Sequence, residues 1–176
     1  MAPSVCIDLI ERERRQLLSI ARDSIEQGLE TDSVPLTPEH SLSPALRERL
    51  GVFVTLTMNE RLRGCIGSMQ SDQALCHSVA HSAFDAAFRD PRFASVGQHE
   101  VRRIRIEISV LSRTEPVTVA SREELLDSSQ PGVDGLLLEE RNYRATFLPK
   151  VWDQLPEPHQ FLEQLLLKAG LPADYW

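Results

Sequence analysis

The chain has 176 residues, of which 41% are hydrophobic and 26% are charged, as in a globular protein that buries a core. Its formal charge of −7 argues against general nucleic-acid binding, because phosphate backbones favour basic surfaces. No apolar run approaches the ~18 residues of a membrane-spanning helix. Residues 1–8 also lack the apolar stretch of a signal peptide. The sequence therefore predicts a cytoplasmic protein that binds no membrane and for which nucleic acid is an unlikely partner.

The first part of the chain is predicted to form an amphipathic helix followed by a β-hairpin. Apolar residues recur at helical spacing through residues 8–30, with charged residues between them. A short helix of about two turns is expected within residues 43–51, from the serine–proline start to the glycine stop. The β-branched segment 52–58 and the segment 61–66 then predict two strands of a hairpin.

A second long helix and an alternating strand follow. The helix is predicted over residues 72–89, with Asp72 as its cap and Pro91 ending it. Residues 103–111 alternate aliphatic with polar side chains, which is typical of an antiparallel strand with one face on the core. Small residues on one face of the helix are expected to permit close packing. These residues are Cys76, Ala80, Ala83 and Ala87.

The last third of the chain is predicted to contain two helices and a second hairpin. Residues 121–124 form a capping box that starts a short helix. Residues 136–139 and 143–148 predict the hairpin, and a helix over 157–169 ends at Gly170. Because the strands come as hairpins rather than alternating with helices, the sequence predicts an α+β fold. We expect a mainly antiparallel sheet flanked by helices.

The segment 61–68, Arg-Leu-Arg-Gly-Cys-Ile-Gly-Ser, is the most distinctive in the chain. Gly64 and Gly67 flank Cys65 and could let the backbone turn tightly and expose the sulfur. The arginines of the segment would favour the thiolate, which is the nucleophilic form of cysteine. The alternative is that Cys65 is a small core residue and the glycines only shape a turn. Three cysteines without a CxxC pair indicate neither a disulfide framework nor a zinc site.

Two further groups of polar and charged residues suggest a binding site. His77, His81 and Asp85, here called the histidine stripe, recur at one-turn spacing and could place metal ligands on one helix face. The alternative is a solvated polar face, because no HExxH glutamate accompanies them. A cluster of arginines could hold an anionic group, or could simply form ion pairs with neighbouring acidic residues. The cluster comprises Arg89, Arg92, Arg102, Arg103 and Arg105.

No familiar cofactor motif is present in the sequence. The chain has no GxGxxG, GxxxxGK[ST] or GxSxG pattern. Nucleotide-binding and α/β-hydrolase functions therefore lose their usual support, and no cofactor is indicated.

Several blocks of the chain occur in the order found in one known family. Residues 62–67, Leu-Arg-Gly-Cys-Ile-Gly, look like its signature hexapeptide, and residues 86–93 resemble its alanine-rich helix ending in Asp-Pro-Arg-Phe. Residues 107–111 resemble its central strand, and residues 145–152 and 168–172 resemble its C-terminal block. The sequence is thus similar to the AMMECR domain family, also called AmmeMemoRadiSam system protein A.

The resemblance implies that residues 1–176 form a single AMMECR-type domain of two lobes with a cleft between them. The C-terminal hairpin and helix would pack back on the main sheet, and the hexapeptide would lie near the cleft. Prokaryotic relatives are encoded beside a MEMO-like protein and a radical SAM enzyme, which implies these two as pathway partners. A functional cluster is also implied. Its members are Arg63, Gly64, Cys65, Asp90, Arg92 and Glu107.

Three functions are compatible with these residues, and the sequence favours the first. It is a substrate-handling or enzymatic role in a modification pathway, with Cys65 as nucleophile or polar anchor. In that role Arg63 and Arg92 would hold an anionic group, and Glu107 would orient an arginine or act as acid or base. The second is a non-catalytic adaptor that binds a protein or, less readily for an acidic chain, RNA. The third is metal binding through the histidine stripe.

Overall fold

The computed structural model describes residues 9–35 and 37–176. The helices in this part of the chain are α1 (Glu11–Thr31), α2 (Leu75–Phe88), α3 (Gln98–Val101), α4 (Arg122–Ser128) and α5 (Pro158–Ala169). The strands are β1 (Val52–Met58), β2 (Arg61–Ser68), β3 (Arg105–Val110), β4 (Leu136–Glu140) and β5 (Tyr143–Phe147). Helices combined with antiparallel hairpins confirm the α+β prediction. None of the described helices has the length and apolar character needed to cross a bilayer.

The chain divides between Arg113 and Thr114 into two compact units. The first contains a three-stranded antiparallel sheet in the order β2-β1-β3, and the second contains a two-stranded sheet, β4-β5. The expected cleft, and the packing of the C-terminal hairpin and helix on the main sheet, stay predictions.

In the first unit, α1 and α2 form a helical layer over one face of the sheet. Alternate residues of β1 (Val52, Val54 and Leu56) are almost completely buried on this face, as the two-residue period of a strand requires. The two helices approach closely enough for the Ser24 hydroxyl of α1 to donate a hydrogen bond to the Ala80 carbonyl of α2 at 2.7 Å. The predicted strip of small residues on α2 is buried, as expected.

The β1–β2 hairpin sets which residues of the signature segment face the helices. Leu56 pairs with Gly64, but Thr57 pairs with Leu62, so Arg63 is the extra residue of a β-bulge. Beyond the bulge, Gly64 lies on the helix-facing side of the sheet with Leu56. Cys65, the next residue, therefore lies on the opposite face, because successive side chains of a strand alternate.

Two predictions about local helices were wrong at their boundaries. α2 begins at Leu75 after an Ala74 cap that has no side-chain hydrogen bond, rather than at Asp72. The first amide of α2 instead donates to the Glu48 carbonyl at 2.8 Å, so a distant segment satisfies the helix start. The expected two-turn helix is a short 3₁₀ helix, Pro44–Arg47, because Glu48 is already extended.

The second unit has its own small core around α5. The Trp152 ring stacks on Phe161 with centroids 3.7 Å apart, and its Nε1 donates to the Asp134 carbonyl at 2.7 Å. The predicted helix start at Ser121 is confirmed, since its hydroxyl accepts from the amide of Glu124 at 3.2 Å. The Glu124 carboxylate accepts from the Ala120 amide at 2.7 Å rather than from the Ser121 amide, so the capping box is not closed. The predicted stop at Gly170 is also confirmed by its left-handed backbone. Four leucines complete this core: Leu126, Leu162, Leu166 and Leu171.

Candidate functional site

Cys65 lies in a row of three residues that crosses the sheet on the face turned away from α2. Cys65 pairs with Thr55 of β1, and Thr55 pairs with Glu107 of β3. The Cys65 side chain is half-buried, and its Sγ lies 3.3 Å from the Thr55 hydroxyl. Cys76 is the enclosed cysteine instead, with no exposed surface, and its burial raises the pKa of its thiol. The two thiols thus differ sharply in environment.

Asp90 connects the end of α2 to the strand that carries Cys65. Its carboxylate is 2% exposed, and it accepts hydrogen bonds from the Cys65 amide at 2.9 Å and the Arg92 amide at 3.1 Å. The Arg92 side chain adds two donors, Nε at 2.9 Å and Nη2 at 2.7 Å. These Arg92 bonds, more than the amide bonds, hold the pKa of Asp90 well below its usual range despite burial. The buried carboxylate therefore stays charged and fixes the guanidinium.

Arg92 completes a cap on the outer edge of β2. Its Nη2 donates to the Cys65 carbonyl at 3.1 Å, so Asp90 and Arg92 together satisfy the amide and carbonyl of this edge-strand residue. Hydrogen bonding to Asp90 raises the pKa of Arg92, and the Cys65 thiol adds smaller charge and hydrogen-bond contributions. The guanidinium is therefore held against the Cys65 backbone as well as against Asp90.

Arg63, in contrast, is engaged away from the sulfur. Its Nε and Nη2 bind the Glu100 carboxylate at 2.8 and 3.0 Å, and its Nη1 and Nη2 donate to the carbonyls of Ala94 and Ser95. The Arg63 hydrogen bond is the main reason that the pKa of Glu100 falls to about 2. Only 13% of the Arg63 side chain is exposed. The anionic group that Arg63 holds in this structure is a carboxylate of its own chain.

The two glycines of the signature segment lie inside β2, so the expectation that they form a tight turn was wrong. A Cβ atom built on Gly64 would lie 2.0 Å from the Ala86 carbonyl oxygen of α2. A Cβ on Gly67 would lie 2.5 Å from Phe53 Cα of the neighbouring strand. The absence of side chains at these positions lets helix and strand backbones approach closely. Gly64 is therefore a packing residue beneath Cys65.

Glu107 and Arg89 have different relations to the thiol. Glu107 stands two strands from Cys65 in the same row, at a backbone separation of roughly 10 Å for the usual strand spacing. Arg89 forms an ion pair with Asp85 at 3.4 Å and lies over the Phe84 ring. The ion-pairing alternative describes Arg89 well.

The histidine stripe is not assembled into a ligand set. His77 Nε2 lies 2.8 Å from a Glu39 carboxylate oxygen, His81 is exposed, and Asp85 is paired with Arg89. Among residues 9–35 and 37–176, no three His, Cys, Asp or Glu side chains are placed to hold a metal ion.

Thr55 is the site residue that sequence reasoning missed. Its hydroxyl contacts Cys65 Sγ at 3.3 Å, although the two residues belong to different strands. The alternation of β1 did place Thr55 opposite the buried valine and leucine positions. Only the register across the hairpin, including the bulge, makes it the partner of Cys65.

Comparisons with known proteins agree with this architecture. The AMMECR1 family model matches residues 18–176. A protein of Thermofilum pendens is 37% identical over 179 residues, covering 96% of this chain and 84% of its own. A protein of Methanosarcina mazei is 38% identical over 172 residues, covering 96% of this chain and 85% of its own. The crystal structure of an uncharacterized protein from Pyrococcus horikoshii superimposes with a TM-score of 0.79 at 34% identity, covering 90% of this chain and 80% of that one. The chain belongs to the AMMECR1 family.

Proposed function

We propose that this protein is a substrate-handling or enzymatic component of a modification pathway, and that the sulfur of Cys65 is its reactive atom. The observation that carries the proposal is the surroundings of the sulfur. Cys65 is half-buried, and its Sγ lies 3.3 Å from the Thr55 hydroxyl. Its carbonyl accepts a hydrogen bond from the Arg92 guanidinium at 3.1 Å, which the buried Asp90 holds in place. A thiol held this way differs from an inert core cysteine.

The chemistry that this arrangement supports is nucleophilic attack by a thiolate. A guanidinium stabilises the thiolate by its charge but cannot accept the thiol proton, because it is already protonated at neutral pH. The proton would therefore leave to solvent before a ligand binds. Glu107 stands in the same cross-strand row and would act as acid or base on a ligand lying over Thr55. The predicted roles of Cys65 and Glu107 are thus retained within the proposal.

The alkylation rate of each thiol tests the proposal directly. Native protein is treated with iodoacetamide between pH 5 and 9, and the modified peptides are quantified by mass spectrometry. We expect Cys65 to react at pH 7 faster than in the urea-unfolded chain, and Cys76 to stay protected because it is fully buried. If Cys65 is as protected as Cys76 until the protein unfolds, the signature segment is structural. The adaptor function would then take precedence.

The pathway assignment is a separate part of the proposal and rests on the family resemblance. We place the protein in the cytoplasm, acting with a MEMO-like protein and a radical SAM enzyme. The test mixes the three purified proteins from one organism and measures complex formation by analytical ultracentrifugation. It also measures whether each component alters Cys65 alkylation. Absence of both effects would remove these partners from the proposal and leave the thiol chemistry in place.

A further inference from the structure

Arg92 combines a buried anchor with an open outer side. Its Nε and Nη2 donate to Asp90, and Nη2 also donates to the Cys65 carbonyl. Nη1 has no oxygen partner among the described residues. The Arg92 side chain is 54% exposed, whereas the Asp90 side chain beneath it is 2% exposed. One edge of the guanidinium is therefore fixed, and another carries donors that a ligand can use.

Two neighbouring arginines lack this combination. Arg63 is 13% exposed, and all three of its nitrogens have partners. Arg89 is 66% exposed, and its carboxylate partner is the part-exposed Asp85 at 3.4 Å, so it lacks the buried carboxylate that fixes Arg92. A guanidinium that is already ordered loses little conformational entropy when an oxyanion binds. Of these three arginines, Arg92 is the one prepared for a ligand.

We infer that Arg92 is the oxyanion-binding residue of the Cys65 site, and that the ligand handled there carries a carboxylate or phosphate group close to the atom that faces the sulfur. The inference rests on the proposed function, because it takes Cys65 to be the reactive atom. Carboxylate and phosphate share the chemistry that Arg92 Nη1 recognises, namely oxygen atoms that accept charge-assisted hydrogen bonds.

A pair of reagents that differ only in charge tests the inference. Iodoacetate and iodoacetamide react in the same way. The thiolate attacks the methylene carbon, a C–S bond forms as the C–I bond breaks, iodide leaves, and the thiol proton goes to the buffer. The quantity to measure is the ratio of the iodoacetate rate to the iodoacetamide rate at Cys65, at constant ionic strength. The same ratio at Cys65 in the urea-unfolded chain is the reference.

We expect the native ratio to exceed the unfolded reference by about tenfold, which is the effect of one hydrogen bond to a charged group. Inorganic phosphate should slow the reaction of Cys65 with iodoacetate and leave its reaction with iodoacetamide unchanged. This result would show that Arg92 binds phosphate groups as well as carboxylates. If phosphate has no effect while the native ratio is raised, the ligand is a carboxylate.

Matched variants separate a specific site from general surface charge. Arg92→Lys keeps the charge but loses the planar fork, and Arg92→Gln loses both, so the ratio should fall to the reference in each. Arg89→Gln removes the same charge three residues away and should keep the raised ratio. Continued protection of Cys76 shows that each variant is folded. If the rate ratio of Arg89→Gln falls as far as that of the Arg92 variants, the inference is overturned.

The inference and the proposed function fail in different ways. If native Cys65 reacts rapidly with iodoacetamide but its ratio equals the unfolded reference, Arg92 does not bind the ligand and the thiol function stands. If native Cys65 reacts with neither reagent, both are overturned.

Discussion

Replacing Gly64 with alanine should destabilise the first unit more than its small size suggests. The added Cβ would lie 2.0 Å from the Ala86 carbonyl oxygen and 3.0 Å from its carbonyl carbon. Both atoms belong to the backbone of α2, so no side-chain rotation can relieve the overlap. Strand β2 and helix α2 would have to separate by about 1 Å across a close-packed layer.

The cost can be estimated from overpacking in other protein cores. Inserting a methyl-sized group typically costs about 1–3 kcal/mol, and rigid surroundings place Gly64→Ala at the upper end of that range. Alanine recovers about 0.5–1 kcal/mol, because glycine loses more conformational entropy on folding. We therefore expect a net loss of about 2–2.5 kcal/mol, which lowers the urea midpoint by about 1–2 M.

The assay must report on the first unit specifically. Both tryptophans and both tyrosines follow residue 113, so intrinsic fluorescence reports only the second unit. Far-UV circular dichroism follows the helices of both units, whereas pulse alkylation of the buried Cys76 follows the opening of α2 directly. Gly97→Ala is the matched control. Its Cβ would first meet the His99 ring at 3.0 Å, and a side chain can rotate away where backbone cannot, so we expect a loss below about 1 kcal/mol.

A Gly64→Ala midpoint within about 0.3 M of the wild type would refute this reasoning. It would mean that the β2–α2 contact is loose, and that Gly64 is present for a reason other than packing.

Two further predictions concern one ion pair and one aromatic stack. Glu100→Gln should cost about 2–3 kcal/mol at pH 7, because the part-buried Arg63 would lose its charged partner. The pKa of Glu100 is lowered from 4.5 to about 2, so its contribution is present above pH 4.5 and is lost as the pH falls towards 2. The gap in urea midpoint between wild type and variant should shrink between pH 6 and 3, and a constant gap would contradict this. Phe161→Ala should cost the second unit about 3–5 kcal/mol, since it removes the ring stacked on Trp152. Its check is the fluorescence midpoint of Trp152 in a Trp176→Phe background, and an unchanged midpoint would argue against the stack as a core contact.

Much of the fold follows from local patterns in the chain. Helical spacing predicted α1, period-two alternation predicted β3, and turn residues predicted both hairpins, because these signals depend only on residues a few positions apart. The helix starts were less predictable. α2 begins where the Glu48 carbonyl meets the Leu75 amide, a contact between segments that local capping rules do not include.

The candidate site likewise has features that the sequence predicted and features that it could not predict. The signature segment drew attention to Cys65 from its residue types alone, and the Asp-Pro-Arg sequence drew attention to Asp90 and Arg92. A shift of one residue exchanges the two faces of a strand. The sequence could not show that a bulge at Arg63 sets Cys65 on the face turned away from α2. It also could not show which arginine would serve the thiol.

Arg63 is two residues from Cys65 in the chain, yet it binds Glu100. Arg92 is 27 residues away, yet its guanidinium donates to the Cys65 carbonyl. The chemistry of the site, a thiol among polar and charged groups, was determined by the sequence. The pairing of those groups was decided only by the tertiary structure, because hydrogen-bond partners are chosen by distances in space that residue spacing does not encode.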